Sequence, residues 1–187
     1  IDGNTKQFKL ILMPRDHYKS TVVTIAGNMQ KAVRNPEERL LIRNESSTNA
    51  ERFLRSIKQH AEGNRVFRAL YSDVIPKDTR RVRWNDKELD FVRQSHAPEP
   101  TFDTMGMTGA VTSRHYTHIT DDDPISEEAI KSEKVMADTI SRINTITSLF
   151  EKPRDNTHWL IGTRWAFWDV YEWYKQAFGP NLAQFAR

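Results

Sequence analysis

An α/β fold with a mostly parallel central sheet and helices on both faces is what this sequence predicts, and three observations predict it. Short apolar runs alternate with helical periodicities along the chain, the pattern of successive βαβ units. The 187 residues suit about one domain. The hydrophobic content is 37%, with five Trp and nine Phe to fill a core, while 28% of residues are charged; that balance is globular, not disordered.

Taken in order, 8–13 (FKLILM) reads as a buried strand and 19–33 (KSTVVTIAGNMQKAV) as the helix that follows it. The RNPEE segment breaks that helix, and 39–44 (RLLIRN) is a second strand. Residues 46–62 offer Ser, Thr and Asn as N-caps to an amphipathic period and form a helix. A short helix then ends at Pro76. Residues 84–94 and 100–107 are expected to be extended, with SHAPEP between them. A strand at 116–120 ends in acids, 126–150 is one broken helix or two, 158–165 is a strand, and AFWDVYEWYKQAF is a closing helix.

Several classes are excluded. With no cysteine there are no disulfides and no thiolate metal sites. No run approaches the roughly 18 apolar residues that span a bilayer, so no membrane partner is expected. The net charge of +3 is compatible with a polyanionic partner. The first residues, IDGNTKQ, carry no signal-peptide apolar region; a core strand so close to the start is expected of a piece of something longer.

In a parallel sheet, ligands sit beyond the carboxyl ends of the strands, so the strand ends are where chemistry is sought. After 8–13 comes Pro14-Arg15-Asp16-His17-Tyr18-Lys19-Ser20-Thr21. It resembles a phosphate loop in its last residues, but Met13 and Tyr18 stand at the glycine positions. Lys19 can reach β and γ phosphates, Ser20 can offer a hydroxyl to Mg²⁺, and the following helix turns its N-terminus towards an anion. Alone, with both glycines missing, the stretch reads more readily as an ordinary turn. After 116–120 come Asp121, Asp122, Asp123 and Pro124, either a solvated turn or the metal-holding and water-polarising carboxylates of an NTP site. After 159–162 comes Thr163, a turn residue or a sensor of the γ-phosphate. A cation-rich loop, an acidic strand end and a polar strand end, in that order, match the additional-strand class of P-loop NTPases.

With those residues in view, the chain resembles the ATPase domain of the large terminase subunit of tailed bacteriophages, the motor that packages viral DNA. The segments that carry the likeness are LILMPRDHYKST, NPEERLLIRNESSTNAERFLRSI, EPTFDTMGMTGAVTSRHYTHITDDDPI and WLIGTRWAFWDVY. The third, with T-G-x-x-T-x-R leading to D-D-P-I, is the most specific. The resemblance implies an Mg²⁺-dependent ATPase domain over 1–178. A linker over 179–187 would lead towards a ribonuclease-H-like nuclease domain that is not in this sequence. It also implies ATP and Mg²⁺ as cofactors and hydrolysis that drives double-stranded DNA into a procapsid. The implied partners are a portal protein, a small terminase subunit and further copies in a homo-oligomeric ring, by expectation a pentamer, in the host cytoplasm and transiently at the portal.

Carried over by residue, the nucleotide would meet Pro14, Arg15, Asp16, His17, Tyr18, Lys19, Ser20, Thr21 and Thr163. Ser20 and Asp122 would hold the metal, and Asp123 would be the catalytic carboxylate, with Asp121 extra and a slip of one residue open. Arg15 is a candidate arginine finger in cis, and Arg114 one reaching into a neighbouring subunit. A degenerate nucleotide-binding module and a helicase-like translocase are the alternatives. A nuclease built on Asp121–Asp123 is disfavoured, since two-metal sites draw carboxylates from several strands. His115 and His118 would point to opposite faces of a strand and are not expected to share a metal. Arg80, Arg81 and Arg83 form either a DNA-phosphate contact or a solvated edge.

Overall fold

The protein is described by a computed structural model covering residues 7–109, 114–126, 132–152, 155–166, 168–179 and 182–186. The chain is α/β. Seven strands form one sheet in the order β3-β4-β2-β5-β6-β1-β7. They are β1 (Phe8–Leu12), β2 (Leu40–Asn44), β3 (Glu88–Leu89), β4 (Phe102–Gly106), β5 (His118–Asp122), β6 (Thr157–Gly162) and β7 (Leu182–Ala186). All neighbours pair in parallel except β3, which runs antiparallel to β4 at the edge.

Helices cover both faces because the strands carry apolar side chains on both. Alternation along β2 splits its residues: Leu40 and Ile42 join one apolar cluster, whereas Leu41 joins the other. On the first face lie a π-helix over Ser20–Gly27 that continues as α1 (Asn28–Arg34), then α2 (Ser47–Gly63), with Met29, Ala32, Leu54, Ile57 and Ala61 packed inward. The short α3 (Arg65–Leu70) follows α2. On the second face lie α4 (Glu133–Asn144) and α5 (Val170–Phe178), with Met136, Ile143, Val170, Tyr171 and Tyr174 against Phe8, Leu10, Ile119 and Leu160. Polar caps start these helices: Ser46 accepts from the Asn49 amide, and Asp169 from the amides of Tyr171 and Glu172.

Two glycines sit where packing requires them. A Cβ on Gly27 would lie 2.8 Å from the Trp159 ring, so the π-helical turn can settle onto β6 only with glycine there. A Cβ on Gly162 would come within 1.8 Å of the Tyr171 hydroxyl, so the end of β6 and the start of α5 are in contact through a missing side chain.

The elements expected at 8–13, 19–33, 39–44, 46–62, 100–107 and 158–165 are present, with ends shifted by a few residues. Three expectations change. The stretch 84–94 contributes only the two residues of β3. The acidic strand is displaced: β5 runs from His118 to Asp122, so Asp121 and Asp122 lie within it, fully buried, and only Asp123 turns away. Buried partners on neighbouring elements make this register possible. Residues 182–186, expected as part of a linker, form β7 and pair with β1 along its length. In 126–150 the helix α4 is followed by a 3₁₀ turn, Thr145–Leu149, while 127–131 lie outside the described residues. The T-G-x-x-T-x-R stretch falls partly on 110–113, also outside them.

Candidate functional site

Parallel strands β1, β5 and β6 end at one edge of the sheet, and the residues after them meet there. Lys19, at the start of the π-helix, reaches across that edge. Its Nζ lies 2.8 Å from Asp123 Oδ2 and 3.1 Å from Thr163 Oγ1. Thr163 in turn donates to the Met13 carbonyl at 3.1 Å, and the Met13 amide donates to the Gly162 carbonyl at 3.1 Å. The loop after β1 is thereby fastened to the segment after β6. Arg15 adds a second link, with its guanidinium stacked 4.3 Å from the Trp165 ring centre.

The loop after β1 turns through left-handed residues that are not glycine. Asp16 (φ 63°) and Tyr18 (φ 55°) are left-handed, and Asp123 (φ 45°) is the third such non-glycine residue among those described. Left-handed backbone costs an L-residue about 1–2 kcal/mol, and residues held this way cluster at functional sites. Here all three stand at one sheet edge. His17 Nδ1 lies 2.7 Å from the Arg15 carbonyl, which folds the exposed tip back on itself. Residues Asp16 to Thr21 line a cleft of about 340 Å³.

Asp122 faces the π-helix. Thr24 donates to its Oδ2 at 2.6 Å, and Asn44 Nδ2 donates to its backbone carbonyl at 2.6 Å. Burial pushes the Asp122 carboxyl up to about 6, although the hydroxyls of Thr24 and Ser20 and the charge of Lys19 pull it down. Asp122 Oδ1 and Asp123 Oδ1 are buried with no hydrogen-bond partner among the described residues. An orphaned carboxylate oxygen beside a serine hydroxyl and a lysine fits a hydrated cation that brings ligands of its own. No cluster of three or more His, Asp or Glu among the described residues could hold a metal alone. Magnesium bound by Asp122 and Ser20 would therefore take its other ligands from phosphate and water.

Asp121 points to the opposite face. Arg43 grips it with two bonds of 2.6 and 2.7 Å, and His158 Nε2 lies 3.0 Å from it. The other ring nitrogen of His158 lies 2.6 Å from the Tyr174 hydroxyl. Burial alone would raise this carboxyl, but Arg43 and His158 hold it well below the usual range. Burial also lowers His158.

Of the sequence-expected residues, the structure brings together Lys19, Asp123 and Thr163, with Asp122 and Ser20 beside them, and places Arg15 over the segment after β6. Pro14 to Tyr18 form the exposed rim and Thr21 closes the cleft. It does not bring Arg114 to them. That side chain bonds Glu88 at 2.8 Å and Asp103 at 2.5 Å, three registers upstream of Asp122, and those carboxylates raise its pKa. Arg80, Arg81 and Arg83 pair with Asp78 and Asp90. His118 is buried against Thr157 and Thr120, and no metal cluster among the described residues includes it. Thr24, Arg43, Asn44 and His158 were not anticipated. The one signal was a charged residue ending an otherwise apolar strand, LLIRN. No family model matches this chain, and no curated protein matches it significantly.

Proposed function

We propose that this protein is a P-loop ATPase of the additional-strand kind and the motor domain of a large terminase subunit. The observation that carries the reading is Lys19 spanning Asp123 and Thr163, which puts a cation, a carboxylate and a hydroxyl from three separate strand ends within one hydrogen-bonded group. The strand order supports it, with β6 standing as an additional strand between β1 and β5.

In this mechanism Lys19 exchanges Asp123 for the β and γ phosphates of ATP entering the loop. Asp123 is thereby released to face the attacking water. The left-handed residues Asp16 and Tyr18 orient the loop for phosphate, and Ser20 and Asp122 are the residues that would hold magnesium. The ion would neutralise charge that develops on the phosphoryl oxygens. Positioning and charge do nearly all the catalysis. Arg15, already at the loop, is the candidate finger in cis, and a finger from a neighbouring copy would add about 10³–10⁵ in rate. Thr163, bonded to both Lys19 and the β1 end, links the phosphate site to the helix after β6. Translocation of double-stranded DNA, a homo-oligomeric ring, and portal and small-subunit partners belong to the same reading.

A degenerate nucleotide-binding module is the second reading, favoured by the Lys19–Asp123 pair itself, in which the two charged groups already neutralise each other. ATP turnover measured against protein concentration with Mg²⁺ separates them. The motor reading expects turnover that rises more than linearly and falls at least about 100-fold in Lys19→Ala and Asp123→Asn, the scale of losing one positioned catalytic group. ATP binding with turnover no greater than in the variants would favour the module.

A further inference from the structure

We infer that Glu45, and not Asp123 alone, supplies the carboxylate that receives the proton of the attacking water. The inference rests on the ATPase reading above and adds a residue to its site. Glu45 directly follows β2, whose last residue, Asn44, is in register with Asp122. Its amide donates to the Asp123 carbonyl at 3.3 Å, so the two strand tips are tied together at this point. Asn44 braces the tip, donating to the Asp122 carbonyl at 2.6 Å and accepting from the Ser46 amide at 3.2 Å.

Between these tips lies a second cleft of about 260 Å³, distinct from the one at the loop, with Arg15, Asn44, Glu45, Asp123 and Trp165 in its lining. About 10–15 Å³ of such space holds one water, so the cleft has room for water. The carboxylates along this edge differ in what already holds them. Asp121 is held by Arg43 and His158, Asp122 by Thr24, and Asp123 by Lys19. Glu45 is exposed, and its carboxylate makes no ion pair or hydrogen bond among the described residues. It is one methylene longer than Asp123 and lines the same cleft. In the step, the water oxygen forms a bond to the γ-phosphorus, and the bond from that phosphorus to the bridging oxygen breaks with its electron pair passing to ADP. The water proton passes to Glu45 and then to the released phosphate or to solvent.

The test measures binding of radiolabelled ATP and steady-state turnover with Mg²⁺ for the parent, Glu45→Gln and Glu45→Asp, with turnover followed across pH. Expected are ATP binding within about threefold of the parent in Glu45→Gln, turnover lower by about 10²–10⁴-fold, and partial recovery with a displaced acidic limb in Glu45→Asp. An unchanged thermal midpoint would show that the exposed position tolerates the change. Turnover in Glu45→Gln within threefold of the parent overturns the role of Glu45 while leaving the ATPase reading standing. A parent that binds no ATP, or binds it without turnover, overturns both.

Discussion

Two neighbouring aspartates on β5 face opposite sides of the sheet, and their surroundings could hardly differ more. On the α5 side, Asp121 is saturated: two bonds from Arg43, one contact with His158, and Tyr174 behind the imidazole. On the π-helix side, Asp122 keeps one oxygen without a partner among the described residues and carries a carboxyl pushed up to about 6. The same residue type at the same depth is fixed as an anion on one face and left needing a counter-charge on the other. A saturated buried carboxylate holds strands together; an unsaturated one is ready to bind.

The comparison can be broken most severely on the saturated face. Arg43→Met leaves Asp121 buried with only the His158 imidazole beside it, and should cost about 3–5 kcal/mol, read as a lower denaturant midpoint. Adding Asp121→Leu in the same chain should recover most of that loss, because replacing both buried charges by apolar groups is often neutral.

On the unsaturated face the sign reverses. The folded state holds the Asp122 proton more tightly than the unfolded chain, whose carboxyl sits near 3.8. The associated stabilisation is complete below that value and lost as pH rises through about 6. Asp122→Asn escapes the loss, so without ligand it should be more stable than the parent by about 2–3 kcal/mol at pH 8. The gap should close as pH falls towards 4. Urea unfolding across that range checks it, and a gap independent of pH would remove the distinction between the two faces. In the parent, cation binding at Asp122 should strengthen as pH rises through 6.

The smallest effect concerns Tyr171, whose hydroxyl is buried with no partner among the described residues. Tyr171→Phe removes a desolvated polar atom and should raise stability by about 0.5–1 kcal/mol, an increase of a few degrees in thermal midpoint. A decrease would mean that the hydroxyl has found a partner, water included.

What was legible in the sequence follows from the range of each interaction. The strands at β1, β2 and β6 and the capped α2 are local patterns of apolar spacing and cap chemistry, and they stand where expected. The convergence of Lys19, Asp123 and Thr163 was legible because parallel topology sends strand ends to one edge. The register of β5 was not. Three consecutive acids look like a turn unless one knows that Arg43, far earlier in the chain, and His158, far later, will neutralise one of them. Leu182–Ala186 was read as linker because its pairing with β1 has no local signature. Arg114 was read as a finger towards a neighbouring subunit, and its pairing within the chain was not legible, because Glu88 and Asp103 come together only in the folded sheet.

The contact between Gly162 and Tyr171 has a mechanical meaning. A joint with clearance absorbs small displacements, whereas one without passes them on. With room for not even one methyl group between the tip of β6 and the first turn of α5, the two have no play. Thr163, one residue further along, therefore sits beside a joint where β6 and the Tyr171 ring are already in full contact. The absence of a side chain at one position thus allows a close-packed joint where any larger residue would hold the two elements apart.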